Sequence, residues 1–155
     1  MHSRIYQIEK ESDYELKRFE PSEDMVMSVN FNVDYFGVSD NLREDDLKWL
    51  DSNLPEGMFE REGDKLTYKK FPKFYIEEKL KNIKEMAKNL TFDDILTESI
   101  NLYRFGQEAT GRSSAMLVAN SDITMDRLDS WWLWVAHYYK LGETFKIGTI
   151  YDYHC

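Results

Sequence analysis

Cysteine is nearly missing from this chain. Cys155 stands alone, so no intramolecular disulfide can form and nothing points to an oxidising compartment. Long apolar runs are missing too: none approaches the length needed to span a bilayer, and the first residues, Met1-His2-Ser3-Arg4-Ile5-Tyr6-Gln7-Ile8, hold no apolar leader core. A cytoplasmic protein without a membrane association is therefore the expectation. Seven glycines and three prolines are too few for a collagenous or low-complexity chain. The mechanistic motifs are absent as well: no Gly-x-x-x-x-Gly-Lys, Gly-x-Gly-x-x-Gly, Cys-x-x-Cys, His-Glu-x-x-His or Gly-x-Ser-x-Gly occurs. That removes the common nucleotide, zinc and hydrolase signatures, and no cofactor is called for.

What the chain does have is aromatic mass and negative charge. With 155 residues, 42% hydrophobic and 15% aromatic, it is long enough to bury a core without staples, and one domain over 1–155 is expected. The net charge of −9 is uneven: residues 1–60 hold 6 Lys/Arg against 15 Asp/Glu, and residues 61–90 hold 9 against 5. Such acidity disfavours non-specific nucleic-acid binding, which depends on neutralising phosphates.

The last third carries the strongest pattern. Leu128, Trp131, Trp132, Val135 and Tyr139 recur at helical spacing, with Asp122 able to cap the first turn and Gly142 to end the last. After Gly142 the period changes to two, so Phe145, Ile147, Thr149, Tyr151 and Tyr153 should share one face of a strand. A helix apolar on most sides, packed on a strand, is a core-building unit. Upstream, alternation predicts strands near residues 3–9 and from Met25 to Tyr35. Asn41 with Glu44 suggests a capping box opening a helix with Leu47, Leu50 and Leu54 inward and Trp49 at its border. Gly63-Asp64 is a two-residue hairpin turn, and Pro72 opens an amphipathic helix with Ile76, Leu80, Ile83, Ala87 and Leu90 on one face. Thr91 with Asp94 is a second capping box, leading to a stripe of Phe92, Leu96, Ile100 and Tyr103, and Ala115–Ala119 reads as a buried strand. The fold class this implies is α+β: one compact domain, a mostly antiparallel sheet against about four helices, with the C-terminal helix–strand unit at its core.

Candidate functional residues are few. Asp152 and His154 stand two apart on the final strand and so share a face, where a carboxylate can orient an imidazole or co-ligate a metal. His137 on the preceding helix, and His2 if the terminal strands pair, could complete an acid/base or zinc- or iron-type set; the plain alternative is a surface pair at a strand end. Cys155 could be a reactive thiol, although a terminal residue beside a negative carboxylate has no reason for a lowered pKa. Lys69-Lys70-Phe71-Pro72-Lys73 interleaves cations with rings, as single-stranded nucleic-acid binders do, and Lys81, Lys84 and Lys88 extend it; a strand-to-helix junction explains the same residues. The loop from Gly106 to Ser114 with Arg112 could hold an anion. Trp131, Trp134 and Tyr138 are candidates for an interface, since Trp and Tyr are enriched at hot spots. Asp45 and Asp46 belong to an acidic set in the first half that could steer a basic protein partner, as inhibitor- and immunity-type proteins do, unless the charge serves solubility alone. The leading expectation is a non-enzymatic interaction module, with self-association as another outcome; the rivals are a small enzyme using Asp152, His154 and His137, and a nucleic-acid binder.

Overall fold

A computed structural model describes residues 2–29, 33–112 and 114–154. Two strands organise it. β1 (His2–Lys10) and β7 (Thr144–His154) pair antiparallel along nearly their whole length, with His2 opposite His154 and Lys10 opposite Phe145. β5 (Leu117–Asn120) lies parallel to the far edge of β1, and β6 (Thr124–Arg127) closes that side. On the other edge of β7 sit, end to end, β2 (Tyr35–Val38) against residues 151–154 and the hairpin β3 (Phe59–Glu62)–β4 (Lys65–Tyr68), whose β4 lies against residues 144–146. The sheet is seven-stranded and open, antiparallel except between β1 and β5, and the whole is one compact α+β domain as the sequence pattern implied.

Both sheet faces are covered, which is why β1 is buried from Ser3 to Glu9 instead of alternating with solvent. One face carries Tyr6, Ile8, Val118, Phe145, Ile147 and Ile150 under α3 (Arg43–Asn53) and α7 (Leu128–Tyr138). The opposite face packs Ile5, Leu117, Ala119, Tyr151 and Tyr153 under α2 (Glu23–Val29), whose Val26 is fully buried. Trp131 anchors the first core. Its ring stacks on Phe59 at 5.3 Å and meets Phe145 edge-on at 5.7 Å, with no exposed surface.

β7 does not keep one face, as strict period two had implied. Ile147 is opposite Ile8 and Ile150 is opposite Tyr6, so Gly148 and Thr149 together face the single residue Gln7. This is a β-bulge: it adds one residue, and every side chain beyond it changes face. Phe145 and Ile147 therefore enter one core, while Tyr151 and Tyr153 enter the other. The buried Gln7 amide stitches the bulge, accepting from the Thr149 N–H at 3.0 Å and donating to the Phe19 carbonyl at 2.6 Å. A Cβ on Gly148 would lie 2.1 Å from Gln7 Oε1, so any larger residue there must displace the Gln7 amide.

Other expectations fail for local reasons. Met25 to Val29 is helix α2, not strand: Ser22 supplies the carbonyl for Met25 and Val26, and Glu23 and Asp24 suit the positive end of a helix. The expected strand's middle, including Phe31, lies outside the described residues, and only β2 beyond it is extended. Asn41 does not cap α3, because its amide donates to Asp46 at 3.1 Å and Glu44 pairs with Arg61. Asp122 does not open α7, since β6 intervenes and the helix begins at Leu128. Of the seven helices among the described residues, α1 (Tyr14–Lys17), α2 and α5 (Phe92–Leu96) are short.

The remaining helices form an arm. α4 (Lys73–Asn89), α5 and α6 (Ile100–Ala109) follow one another, tied by the Lys79–Glu108 pair at 3.0 Å and by the Thr91–Asp94 capping box. The predicted stripe from Phe92 to Tyr103 breaks where Glu98 adopts φ 49° and Ser99 caps a new helix. Neither α4 nor α6 contains a buried residue.

Candidate functional site

The pairing of β1 with β7 and of β7 with β2 sets side chains in two rows on one sheet face. Tyr35, His154 and His2 form the outer row across three neighbouring strands; Gly37, Asp152 and Arg4 form the row behind. Cross-strand partners share a face, so six positions far apart in sequence converge because of register alone. The His2 and His154 rings meet edge to face with centroids 3.6 Å apart, and Tyr35 lies 5.0 Å beyond His154. His2 Nδ1 is 3.0 Å from Asp152 Oδ2, and His154 Nε2 is 3.5 Å from the same oxygen.

A buried ionic chain supports this rim. Arg4 donates to Asp152 Oδ1 and, at 2.8 Å, to Asp46 Oδ1. Ser39 donates to the other Asp46 oxygen at 2.6 Å, and Tyr6 donates to the Asp46 carbonyl at 2.8 Å. Arg4, Asp46 and Asp152 are each less than a tenth exposed, so such charges must be paired and hydrogen-bonded to be tolerated. Burial pushes the Asp46 carboxyl up, but hydrogen bonds from Ser39, Arg4 and Asn41 outweigh that and hold it below the ordinary range. Burial and the Asp46 charge push the Tyr6 phenol far above its usual value, so Tyr6 is a donor and not a base. The set can bind a cation at its rim, or hold an imidazole beside a carboxylate.

Of the residues singled out by sequence, Asp152 and His154 sit together with His2. His137 does not join them: it is exposed on α7 and packs on Tyr138 at 4.4 Å. Trp131 does not face an interface, because it is wholly inside. Trp134 is half-buried against Tyr139, and Tyr138 is exposed. Asp45 is exposed, whereas Asp46 is the buried partner of Arg4 and faces no partner protein. Glu9, another of the acidic set, is buried and accepts from the Ser121 and Phe19 N–H groups. In the Lys69–Lys73 patch, Lys69 pairs with Glu60 and Lys73 with Glu77. Gly106 lies inside α6, and Arg112 is 3.7 Å from Asp126, so the supposed anion loop is partly helix with its cation engaged. Cys155 lies outside the described residues.

Arg4 and Tyr35 escaped sequence reasoning. Arg4 is two residues from His2 on an alternating strand, a signal that needed the β1–β7 register to be read; Tyr35 had no signal beyond its strand propensity. Two of the larger clefts among the described residues lie elsewhere. One of about 680 Å³ runs between α6 and β6, past Tyr103, Gln107 and Met125. The other, about 540 Å³, opens where β2 and β4 leave a gap along β7 and Arg43 donates to the Ile147 and Gly148 carbonyls in place of a strand. Among the described residues, no helix is long and apolar enough to cross a membrane. No protein-family model, curated protein or solved structure matches the chain.

Proposed function

We propose that the protein is a non-catalytic, cytoplasmic interaction module that works through its α4–α6 arm, and that the arm's occupant is the arm of a second copy. One observation carries this: the arm presents large apolar side chains to solvent. Leu80 is 50% exposed, Ile95 57%, Ile100 58%, Tyr103 59%, Leu96 69% and Phe92 80%. Clusters of such residues on a folded element mark interaction surfaces, since a monomer gains nothing from exposing them.

The charges beside them favour self-pairing. Leu80 is bordered by Lys81, Lys84 and Lys88 together with Glu77 and Glu85. Two such helices laid antiparallel bring lysines of one copy against glutamates of the other, as flanking charges do in helical assemblies. The lone cysteine and the lack of any disulfide support the cytoplasmic setting. An enzyme built on Asp152 and His154 is the weaker reading, because both clefts are lined by other residues.

Sedimentation velocity tests the proposal. A dimer is expected below about 100 μM, and Leu96→Glu with Ile100→Glu should return the chain to a monomer with unchanged circular dichroism. A wild-type protein that stays monomeric throughout, or a dimer indifferent to both substitutions, overturns it. A second reading, a basic protein partner held by the acidic first half, is supported by Glu23, Asp24, Asp40 and Asp45, which make no ion pair among the described residues. It predicts salt-sensitive binding of a basic protein by a chain whose arm variants bind equally well.

A further inference from the structure

We propose that His2, Asp152 and His154 form a binding site for a divalent first-row transition ion of the zinc class. The three ligand atoms, one from each residue, all lie within 4.8 Å of one another. Two of the separations are 3.0 and 3.5 Å, both measured to Asp152 Oδ2. An ion about 2.0–2.2 Å from each ligand holds neighbouring ligand atoms roughly 3.0–3.6 Å apart, which both separations to Asp152 Oδ2 match. Two imidazoles and one carboxylate are among the donor sets that such ions take when a coordination position is left open. Here the open side faces solvent, because the His2 side chain is 65% exposed.

Two further observations point to a ligand and not to a mere surface cluster. His154 Nε2 is buried and makes no hydrogen bond among the described residues, although it is aimed at the carboxylate. A buried ring nitrogen left without a partner costs stability, and a metal bond would satisfy it. The carboxylate is also held from behind. Arg4 binds Asp152 Oδ1, leaving Oδ2 to face both rings, and Asp46 in turn offsets the Arg4 charge. Arg4, Asp46 and Asp152 together carry a net single negative charge, so the ion meets a favourable field. Ligands oriented by a second layer of hydrogen bonds are characteristic of built metal sites. On the β2 side Gly37 stands opposite Asp152, so no side chain from that position crowds the carboxylate.

Binding at His2 Nδ1 requires that nitrogen to give up any proton it donates to Asp152, so metal uptake competes with that hydrogen bond. The test is titration of the full chain with zinc or cobalt chloride, read by calorimetry and by the visible absorption of bound cobalt, with magnesium as the control. One site per chain is expected, with no response to magnesium, which prefers oxygen-only ligands. His2→Ala, at an exposed position where folding is not at issue, should weaken binding at least about tenfold, as should His154→Ala. His137→Ala should leave it unchanged. Failure to bind zinc or cobalt at millimolar concentration overturns the proposal, as does binding that survives both the His2 and His154 substitutions. Since the site is remote in sequence from the arm, its failure leaves the assembly reading intact.

Discussion

The sheet body and the helical arm are built from the same kind of apolar periodicity, yet they use it in opposite ways. In the body, Leu47, Leu50 and Leu54 of α3 and Trp131 and Val135 of α7 are sealed against β1 and β7. In the arm, Leu80 of α4, Phe92 and Leu96 of α5, and Ile100 and Tyr103 of α6 remain largely in solvent, and among the described residues only Ile76 of α4 packs at the margin of the core. The body is held by non-local pairing and burial, the arm by local caps and one Lys79–Glu108 pair. Periodicity therefore says which face of a helix is apolar; it does not say what covers that face.

The sharpest way to break this comparison is to truncate one large apolar residue on each side. Trp131→Ala removes a fully buried indole stacked on Phe59 and should destabilise by about 3–5 kcal/mol in urea unfolding, enough to threaten the fold. Its indole N–H has no hydrogen-bond partner among the described residues, so truncation loses packing but no hydrogen bond. If Trp131→Ala costs under 1 kcal/mol, the aromatic core is not what holds the body. A smaller effect is expected at the bulge. Gly148→Ala sets a methyl group against the buried Gln7 amide and 2.9 Å from the Tyr14 hydroxyl, which should cost about 1–3 kcal/mol by the same measurement. A neutral result would mean that the bulge relaxes freely, and β7 would lose its claim to a fixed register.

That bulge also marks the limit of what could be read without coordinates. The hairpin at Gly63-Asp64, the inward leucines of α3, the buried strand after Ala115, the Thr91–Asp94 capping box and the aromatic C-terminal unit were all legible, because each shows as a residue pattern within a short stretch of chain. The face of β7 was not, because a bulge depends on what Gln7 does across the sheet. Helix α2 was misread since Met25, Met27 and Val29 mimic alternation, while the signal that wins is the helix start at Ser22–Asp24. For the site, spacing alone joined Asp152 to His154. Bringing in His2 and Arg4 required the β1–β7 register, and excluding His137 required knowing which way α7 turns.

The least disruptive probe of the same contrast is protonation of one carboxylate in each region. In the arm, the Ser99 hydroxyl at 2.6 Å and the Thr91 N–H and hydroxyl at 2.8 Å hold the Asp94 carboxyl far below the usual range. In the body, Asp46 is also held down, by Ser39, Arg4 and Asn41 against its burial. A depressed folded pKa contributes stability that is fully present above the unfolded value near pH 4 and is lost as pH falls through the folded value. Between those two pH values the unfolded chain binds more protons, so stability should rise with pH. The two carboxylates should nevertheless report differently. Asp46→Asn leaves Arg4 short of a charge inside the body, so it should lower the global melting temperature at neutral pH and flatten the acid limb of its pH profile. Asp94→Asn disturbs only the α5 and α6 caps, so hydrogen exchange should quicken from residues 92 to 109 while the global transition barely moves. Should Asp94→Asn shift global melting as much as Asp46→Asn, the arm is not an independent local unit but part of the cooperative body.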